Sequence, residues 1–159
     1  MEPTTVDVAP LNPESHSLPM ALLAGCAAAA VGAALWAAIS VATDMQIGWM
    51  AIGVGFLVGY AVRKFGNGSE PTFQVLGAVL SLLGCLAGNL LMVCVVAGRQ
   101  ENIPLLTIVT HLHPSVILDL MVETFSPMDL VFYAIAVYEG YRFSRAPVPR
   151  TMSVPNLNV

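Results

Sequence analysis

Residues 47–68 of the chain read IGWMAIGVGFLVGYAVRKFGNG, and this stretch decides the fold. Its first sixteen residues carry no charge before Arg63 and Lys64 end the run. Four glycines interrupt the run at short intervals: Gly48, Gly53, Gly55 and Gly59. An apolar segment of this length predicts a helix that crosses a membrane and is anchored at its basic end. The glycines require a separate explanation.

The rest of the chain has the same character. It is 159 residues long, 57% hydrophobic and only 10% charged, whereas soluble domains carry about 25% charged residues. Asp, Glu, Lys and Arg are missing from three ranges, 15–43, 45–62 and 71–98. Each range is long enough for the roughly 17–25 residues that cross the hydrocarbon core. The composition therefore predicts an all-α integral membrane protein.

The two ends differ from this apolar centre. Residues 1–18 and 146–159 are rich in proline and polar residues, and we expect both to be disordered tails. A secretory signal peptide would begin with positive charge. Residues 1–19 contain neither Lys nor Arg, so no such leader is predicted.

The capping signals divide residues 19–145 into four predicted spans. The bounds are 19–42, 44–64, 71–98 and 127–144. Ser17 is placed to cap the first span, and Thr43 with Gln46 predicts a capping box for the second. Glycines in the stretch 65–69 are expected to end the second span. The short connections make the first three spans antiparallel neighbours.

The fourth span has a good start signal and a doubtful length. Ser126 at the N-cap, Pro127 at N1 and Asp129 at N3 predict where it begins. Residues 127–144 would rise about 27 Å, which crosses the hydrocarbon only with Glu139 inside. An acidic residue near a helix centre costs about 2.5–3.5 kcal/mol on insertion scales. The cost is smaller if Glu139 lies off-centre or finds a partner, and we predict a span that tolerates it.

The basic residues predict the orientation. Four spans place Arg63, Lys64 and the three arginines of the C-terminal part on one side, and only Arg99 on the other. Basic residues favour the cytoplasmic side, so both termini are predicted to be cytoplasmic. Residues 99–126 then lie outside as an amphipathic loop with short helices, because Pro114 and its polar neighbours disfavour a fifth span.

Rows of small residues explain the glycines. Helices in lipid associate by close van der Waals contact, so small residues mark their contact faces. The rows fall at i,i+4 spacing on three spans: Ala24, Ala28 and Gly32; Gly55 and Gly59; Gly84 and Gly88. Packing inside one chain is the simplest interpretation. A self-association interface or the lining of a solute path remains open.

The arrangement resembles a widespread group of uncharacterised bacterial integral membrane proteins with four predicted spans. The resemblance rests on residues 34–68, with a Trp late in the first span followed by the motif AIGVGFLVGYAVR. It rests also on FQVLGAVLSLLGCLAGNLL and SPMDLVFYAIAVYEGYRFS further along the chain. It covers about residues 21–144. It implies a protein of the bacterial inner membrane and implies no particular activity.

Polar residues at bilayer depth are the candidate functional residues. Asn89 follows Gly88 in the third span and is expected to hydrogen-bond to a neighbouring helix. Glu139 is expected to pair with Arg142, or with Arg63 or Lys64 if the second and fourth spans meet. Arg63, Lys64 and Arg142 are also predicted to anchor their helices at the headgroups. A proton- or ion-binding role for Glu139 is the alternative.

Other kinds of site find little support in the sequence. His111 and His113 lie two residues apart, with Asp119 and Glu123 beyond Pro114, a spacing that is poor for zinc. No nucleophile elbow, P-loop or dinucleotide motif is present. A net charge of −4 with few basic residues argues against nucleic acid. We therefore predict a protein without metal, cofactor or catalytic activity.

Two functional hypotheses follow from these patterns. The first is a small accessory or scaffold subunit that acts through helix–helix contacts with the bilayer around it, either as a homo-oligomer or within a larger membrane-protein complex. The second is a small oligomeric transporter or channel that uses Glu139 and Asn89. Four spans leave little room for a pore in one protomer, so the second hypothesis requires self-association.

Overall fold

The computed structural model of the protein describes residues 17–43, 48–111 and 113–147, and these ranges are helical with short connections and no strand. The helices are α1 (Leu18–Thr43), α2 (Met50–Gly66), α3 (Pro71–Glu101), α4 (Leu105–His111), α5 (Pro114–Thr124) and α6 (Pro127–Phe143). The predicted all-α class is confirmed for this part of the chain.

The four longer helices pack against one another. α1 contacts α2 and α3, α6 contacts α2 and α3, and α2 also contacts α3. The short helices α4 and α5 contact only α3 among the described helices. The connection between α2 and α3 and the chain leaving α6 meet at one end of the molecule, which we call the Arg63 end. The opposite end, where α6 begins, is called the Asp129 end.

Two helices are long and apolar enough to cross a membrane, α1 and α3. Their 26 and 31 residues rise about 39 and 47 Å, more than the roughly 30 Å of hydrocarbon. α5 and α6 pass the same test only when they are joined across a bend of 104°. α2 and α6 each have 17 residues, or about 26 Å. These lengths and compositions indicate a membrane protein, and the predicted crossing by α2 and α6 stays a prediction.

The structure corrects where α2 begins and ends. Thr43 is the last residue of α1, and its hydroxyl donates to the Ile39 carbonyl at 2.8 Å. It cannot cap the next helix, which begins at Met50 rather than at residue 44; Gln46 lies outside the described residues. At the other end, Asn67 takes the left-handed conformation with φ of 49°. Asparagine therefore does what glycine was expected to do.

The start of α6 agrees with the prediction. The Ser126 hydroxyl accepts from the Met128 N–H at 3.4 Å, and the Asp129 carboxylate accepts from the Ser126 N–H at 2.9 Å. Together with Pro127 these contacts form the expected capping box. At α1, the Ser17 hydroxyl accepts from the Met20 N–H at 3.4 Å, in agreement with a cap there.

The inner ends of both predicted tails are hydrogen-bonded to the helical region. The Ser17 N–H donates to the Gly66 carbonyl at 3.2 Å, and the Ala146 N–H donates to the Gly68 carbonyl at 3.1 Å. Ala146 is buried, so it belongs to the packed structure and not to a tail. The disorder predicted for the tails falls on residues 1–16 and 148–159, which lie outside the described residues.

Candidate functional site

Two glycines of the quoted stretch face α6. A Cβ built on Gly55 would lie 2.5 Å from the carbonyl oxygen of Ala136 and 2.9 Å from its Cα. One built on Gly59 would lie 2.9 Å from the Cβ of Phe143 and 3.2 Å from the carbonyl oxygen of Gly140. Only glycine permits so close an approach of the two backbones. The predicted row on α2 is therefore a contact within this chain.

The other glycines of that stretch have different surroundings. Gly53 is exposed, and a Cβ built on it would meet nothing within 4 Å. Gly48 is buried against the ring of Phe132. The charge-free run thus contains two glycines that serve a helix contact, one that accommodates a ring, and one with no packing role among the described residues.

Two glycines of α3, Gly84 and Gly88, face α1. A Cβ on Gly84 would lie 3.3 Å from the Cβ of Ala29, and one on Gly88 would lie 3.3 Å from the Cα of Ala33. On α1 the buried row includes Gly25, Ala28 and Gly32, as well as Ala29. Small residues thus lie at the α1–α3 interface.

Ala24 is a partial correction to the predicted α1 row. It is only half-buried, whereas Gly25 is buried against Leu80 and Val62. A strict four-residue step advances 40° further than a full turn. It therefore drifts off a face that alternating steps of three and four residues follow. The contact face runs through Gly25 and Gly32, and Ala24 lies at its edge.

A second close contact joins α3 and α6, and the sequence analysis did not single it out. Gly77 and Gly140 approach closely, with a Cβ on Gly140 only 2.6 Å from the Gly77 carbonyl oxygen. Ser81 donates to the Gly77 carbonyl at 2.7 Å, and Ser144 donates to the Gly140 carbonyl at 2.5 Å. Each serine thus satisfies its hydroxyl within its own helix. The signal was the spacing of four residues from Gly77 to Ser81 and from Gly140 to Ser144.

Polar side chains are buried between the helices. Asn89 is fully buried, as predicted for a residue beside Gly88. Trp36, Ser40 and Tyr133 are also buried, at 0%, 3% and 5% exposure. The indole N–H and the two hydroxyls form no hydrogen bond with any described residue. Buried donors of this kind are commonly satisfied by ordered water.

In this polar group, Trp36 of α1 contacts both Tyr133 of α6 and Gly88 of α3. The Trp36 and Tyr133 rings meet edge to face with centroids 6.4 Å apart, and Trp36 also lies against Gly88. Sequence reasoning singled out Asn89 and passed over the other members. The four-residue spacing from Trp36 to Ser40 puts both on one face of α1, and this spacing was the available signal.

Glu139 lies apart from this buried polar group. It is half-buried on α6, with its carbonyl oxygen 3.3 Å from a Cβ built on Gly59. It is six residues beyond Tyr133, or about 9 Å along the helix. Because Tyr133 belongs to the buried polar group that includes Asn89, Glu139 and Asn89 do not form one site. Among the described residues, no ion pair within 4.0 Å links Glu139 to Arg142, Arg63 or Lys64.

The residues considered for metal binding do not converge. His111 Nδ1 lies 2.8 Å from the Thr107 carbonyl oxygen of its own helix. Asp119 and Glu123 are exposed on α5. No group of three or more His, Cys, Asp or Glu side chains within the described ranges is placed to hold a metal ion.

The basic residues gather at the Arg63 end. Arg63 is half-buried, and Lys64, Arg142 and Arg145 are exposed there, whereas Arg99 lies at the Asp129 end. A surface concavity of 330 Å³ opens beside this group. Its lining residues are Tyr60, Arg63, Lys64, Asn67, Ala146 and Pro147. The lining contains two cationic side chains and no acidic one.

Comparisons of the chain with models of known protein families, with curated protein sequences and with solved structures gave no match. The resemblance to bacterial four-span proteins therefore stays a prediction, and the function has to be argued from the helices, their contacts and their charges.

Proposed function

We propose that the chain is a four-span integral protein of the bacterial inner membrane that acts as a non-catalytic accessory or scaffold subunit. It works through helix–helix contacts with another membrane protein or with further copies of itself. The four spans are α1, α2, α3 and α6, and the resemblance of residues 34–68 to bacterial four-span proteins is the reason for the bacterial location.

The packing of α2 and α6 supports their role as spans. Each is shorter than the hydrocarbon core, but each is held against α3 and against the other. Their outward side chains are large and apolar, including Phe56 on α2 and Leu130 and Val131 on α6. A helix with such a surface is better accommodated by lipid than by water.

The charges support cytoplasmic termini. Four of the five described cations lie at the Arg63 end, where the chain enters α1 and leaves α6, and only Arg99 lies at the other end. Asp119, Glu123 and Asp129 belong to the segment at the opposite end. Under the positive-inside rule the Arg63 end faces the cytoplasm. α4 and α5 then lie at the outer surface, as amphipathic helices beside α3.

The observation that supports the accessory role is a contrast between two surfaces. The inner helix faces are closely packed, whereas the outer face of α1 carries small residues and packs against no described helix. The inner faces meet at backbone distance, as at Gly55 and Gly140, which leaves little space for a solute. On α1, by contrast, a row of alanines faces outward: Ala27, Ala30, Ala34, Ala38 and Ala42. A groove of 360 Å³ between α1 and α3 runs beside this row. Small residues on an outer face suit close contact with another helix.

The test is the composition of the complex that the chain forms in its own membrane. The full chain is purified in mild detergent, its native mass is measured, and co-purifying proteins are identified. We expect a complex of defined stoichiometry larger than one chain. Ala34→Leu with Ala38→Leu should release the partner, because two larger side chains hold the helices apart. A monomer in mild detergent and after crosslinking in the membrane would refute the proposal.

Ala87→Leu is the matched control. Ala87 is an exposed alanine of α3, so the change adds the same bulk to a different outward face. The complex should survive it. If Ala87→Leu and the α1 pair disrupt the complex equally, the α1 face has no special role.

The second candidate is a small oligomeric transporter, and one observation favours it. Trp36, Ser40 and Tyr133 present buried polar atoms that have no hydrogen-bond partner in the described part of the chain, and such atoms would suit a hydrated spot on a solute path. Purified chain in vesicles should then conduct a small solute, and Tyr133→Phe should reduce that flux. An absence of flux in a folded homo-oligomer would leave the accessory role as the explanation.

A further inference from the structure

The concavity at the Arg63 end has the features of a binding site for a phosphate group. Tyr60, Arg63, Lys64 and Asn67 recur at i, i+3, i+4 and i+7 on one face of the last turns of α2. Ala146 and Pro147 line the opposite side. At 330 Å³ the space falls within the size of ligand pockets, about 300–1,000 Å³.

Both walls are held in place by contacts that do not depend on a ligand. The Asn67 N–H donates to the Arg63 carbonyl at 3.0 Å, and this bond closes α2. The Ala146 N–H donates to the Gly68 carbonyl at 3.1 Å. Ser144 is fully buried, with its hydroxyl bonded to the Gly140 carbonyl. A ligand would therefore enter a preformed space.

The charge of the space is positive and unneutralised by described residues. Neither Arg63 nor Lys64 forms an ion pair with another described residue, and the described lining of the space includes no acidic side chain. The C-terminus of α2 contributes about half a negative charge, so two cations leave the space net positive. A guanidinium beside an ammonium suits the oxygens of a phosphate.

The surroundings favour a phosphate that carries an apolar body. The Lys64 ammonium lies 5.8 Å from the centroid of the Tyr60 ring, one turn deeper in the helix. The Tyr60 ring stacks on Phe56, which continues the exposed apolar surface of α2. A molecule bound through its phosphate at Lys64 would thus lay its apolar part along Phe56. A soluble phosphate would make no use of that surface.

We propose that this concavity binds the phosphate of an anionic phospholipid of the cytoplasmic leaflet, between the end of α2 and the chain that leaves α6. Arg63 and Lys64 hold the phosphate oxygens, and Tyr60 contacts the glycerol and the first part of the acyl chains. Basic pockets between membrane helices bind anionic headgroups in this way. The inference rests on the proposed membrane orientation and is independent of the accessory role.

The test measures lipid retained by the full chain in an uncharged detergent. Phosphatidylglycerol, phosphatidylcholine and inorganic phosphate are titrated separately, and native mass spectrometry counts the lipid bound per chain. We expect one phosphatidylglycerol to be retained in preference to phosphatidylcholine. Arg63→Gln and Lys64→Gln should each weaken its retention by about tenfold, since a hydrogen bond to a charged group is lost.

Arg142→Gln is the matched control, because Arg142 is an exposed cation of the same end that does not line the concavity. Its effect should stay within about twofold. An equal loss in this variant would mean diffuse attraction of anions and would overturn the site. Equal retention of phosphatidylcholine, or full displacement of the lipid by millimolar inorganic phosphate, would also overturn it.

A labelling experiment separates failure of the site from failure of the topology. Ser69→Cys, in the connection between α2 and α3, is treated in intact cells with a maleimide that does not cross membranes. Labelling from outside would refute the proposed orientation and the choice of leaflet, while selective lipid retention would still support the phosphate site. Protection in intact cells without selective retention would refute the lipid site alone.

Discussion

The packing of α6 differs from the packing of α1. α6 meets its neighbours at backbone distance, at Gly55 against Ala136 and at Gly77 against Gly140. α1 meets α2 and α3 mainly through side chains, such as Val54 against Gly32. α6 is also the shorter and less apolar helix, and it carries Glu139. The helix with the weaker sequence signal for insertion therefore has the closer contacts.

This difference has a physical consequence. A side chain can rotate or shift when its neighbour grows, whereas a backbone carbonyl moves only if the whole helix moves. The α6 contacts should therefore tolerate less change than the α1 contacts. In the proposed four-span arrangement, contact with α2 and α3 would also replace part of the surface that α6 presents to lipid.

The largest effect is expected for Gly55→Ala. The added methyl would lie 2.5 Å from the Ala136 carbonyl oxygen, so α2 and α6 must separate. We expect the free energy of unfolding to fall by about 3 kcal/mol, measured by denaturant titration in mild detergent. Gly53→Ala is the control, because a Cβ there meets nothing within 4 Å. Equal stability of the two variants would show that the α2–α6 contact is not closely packed.

A smaller effect is expected for Gly84→Ala. Its new methyl would lie 2.9 Å from a Val54 methyl, which can rotate away, and 3.3 Å from the Ala29 Cβ, which needs a shift of only a few tenths of an ångström. The free energy of unfolding should fall by about 1 kcal/mol. The same titration tests the ranking. A loss larger than that of Gly55→Ala would reverse the proposed difference between the two sets of contacts.

Ser126→Ala tests the start of α6. The change removes the hydroxyl that accepts from the Met128 N–H and should cost about 1 kcal/mol. Thermal unfolding followed by near-ultraviolet circular dichroism measures it. Ser115→Ala is a suitable control, since Ser115 is an exposed serine in the first turn of α5. If Ser126→Ala unfolds α6 completely, the cap and not the glycine contacts holds this helix.

The smallest effect is expected for Glu139→Gln. Glu139 forms no ion pair with a described residue, so the neutral isostere should change the free energy of unfolding by less than about 0.5 kcal/mol. The native mass of the complex should also be unchanged. A large loss of activity or assembly in a folded variant would identify Glu139 as a functional residue and favour the transporter hypothesis.

Local signals in the sequence predicted local features well. Ser126, Pro127 and Asp129 predicted the start of α6, because a capping box involves only residues three apart. The same reasoning predicted Thr43 as the cap of α2, and this was wrong, because the Thr43 hydroxyl donates to the Ile39 carbonyl of α1. A threonine at a helix junction can serve either helix, and its sequence neighbours do not decide which.

The candidate site was predicted only in part. Gly55 and Gly59 were recognised as contact residues from their spacing, but the spacing did not reveal that α6 is their neighbour. Arg63 and Lys64 were predicted to be membrane anchors, and that role stays a prediction. Ala146 and Pro147, which complete the concavity beside them, come from the other end of the helical region and carry no signal of their own.

The sequence by itself determined the all-α class, the apolar helices and the segregation of basic residues, because each depends on composition or on spacing within one helix. The tertiary structure alone decided which helices meet, which glycines lie against a backbone, and that the ends of α2 and α6 enclose a basic concavity. Such pairings depend on residues far apart in the chain, and a row of small residues is equally compatible with any neighbour that approaches closely enough.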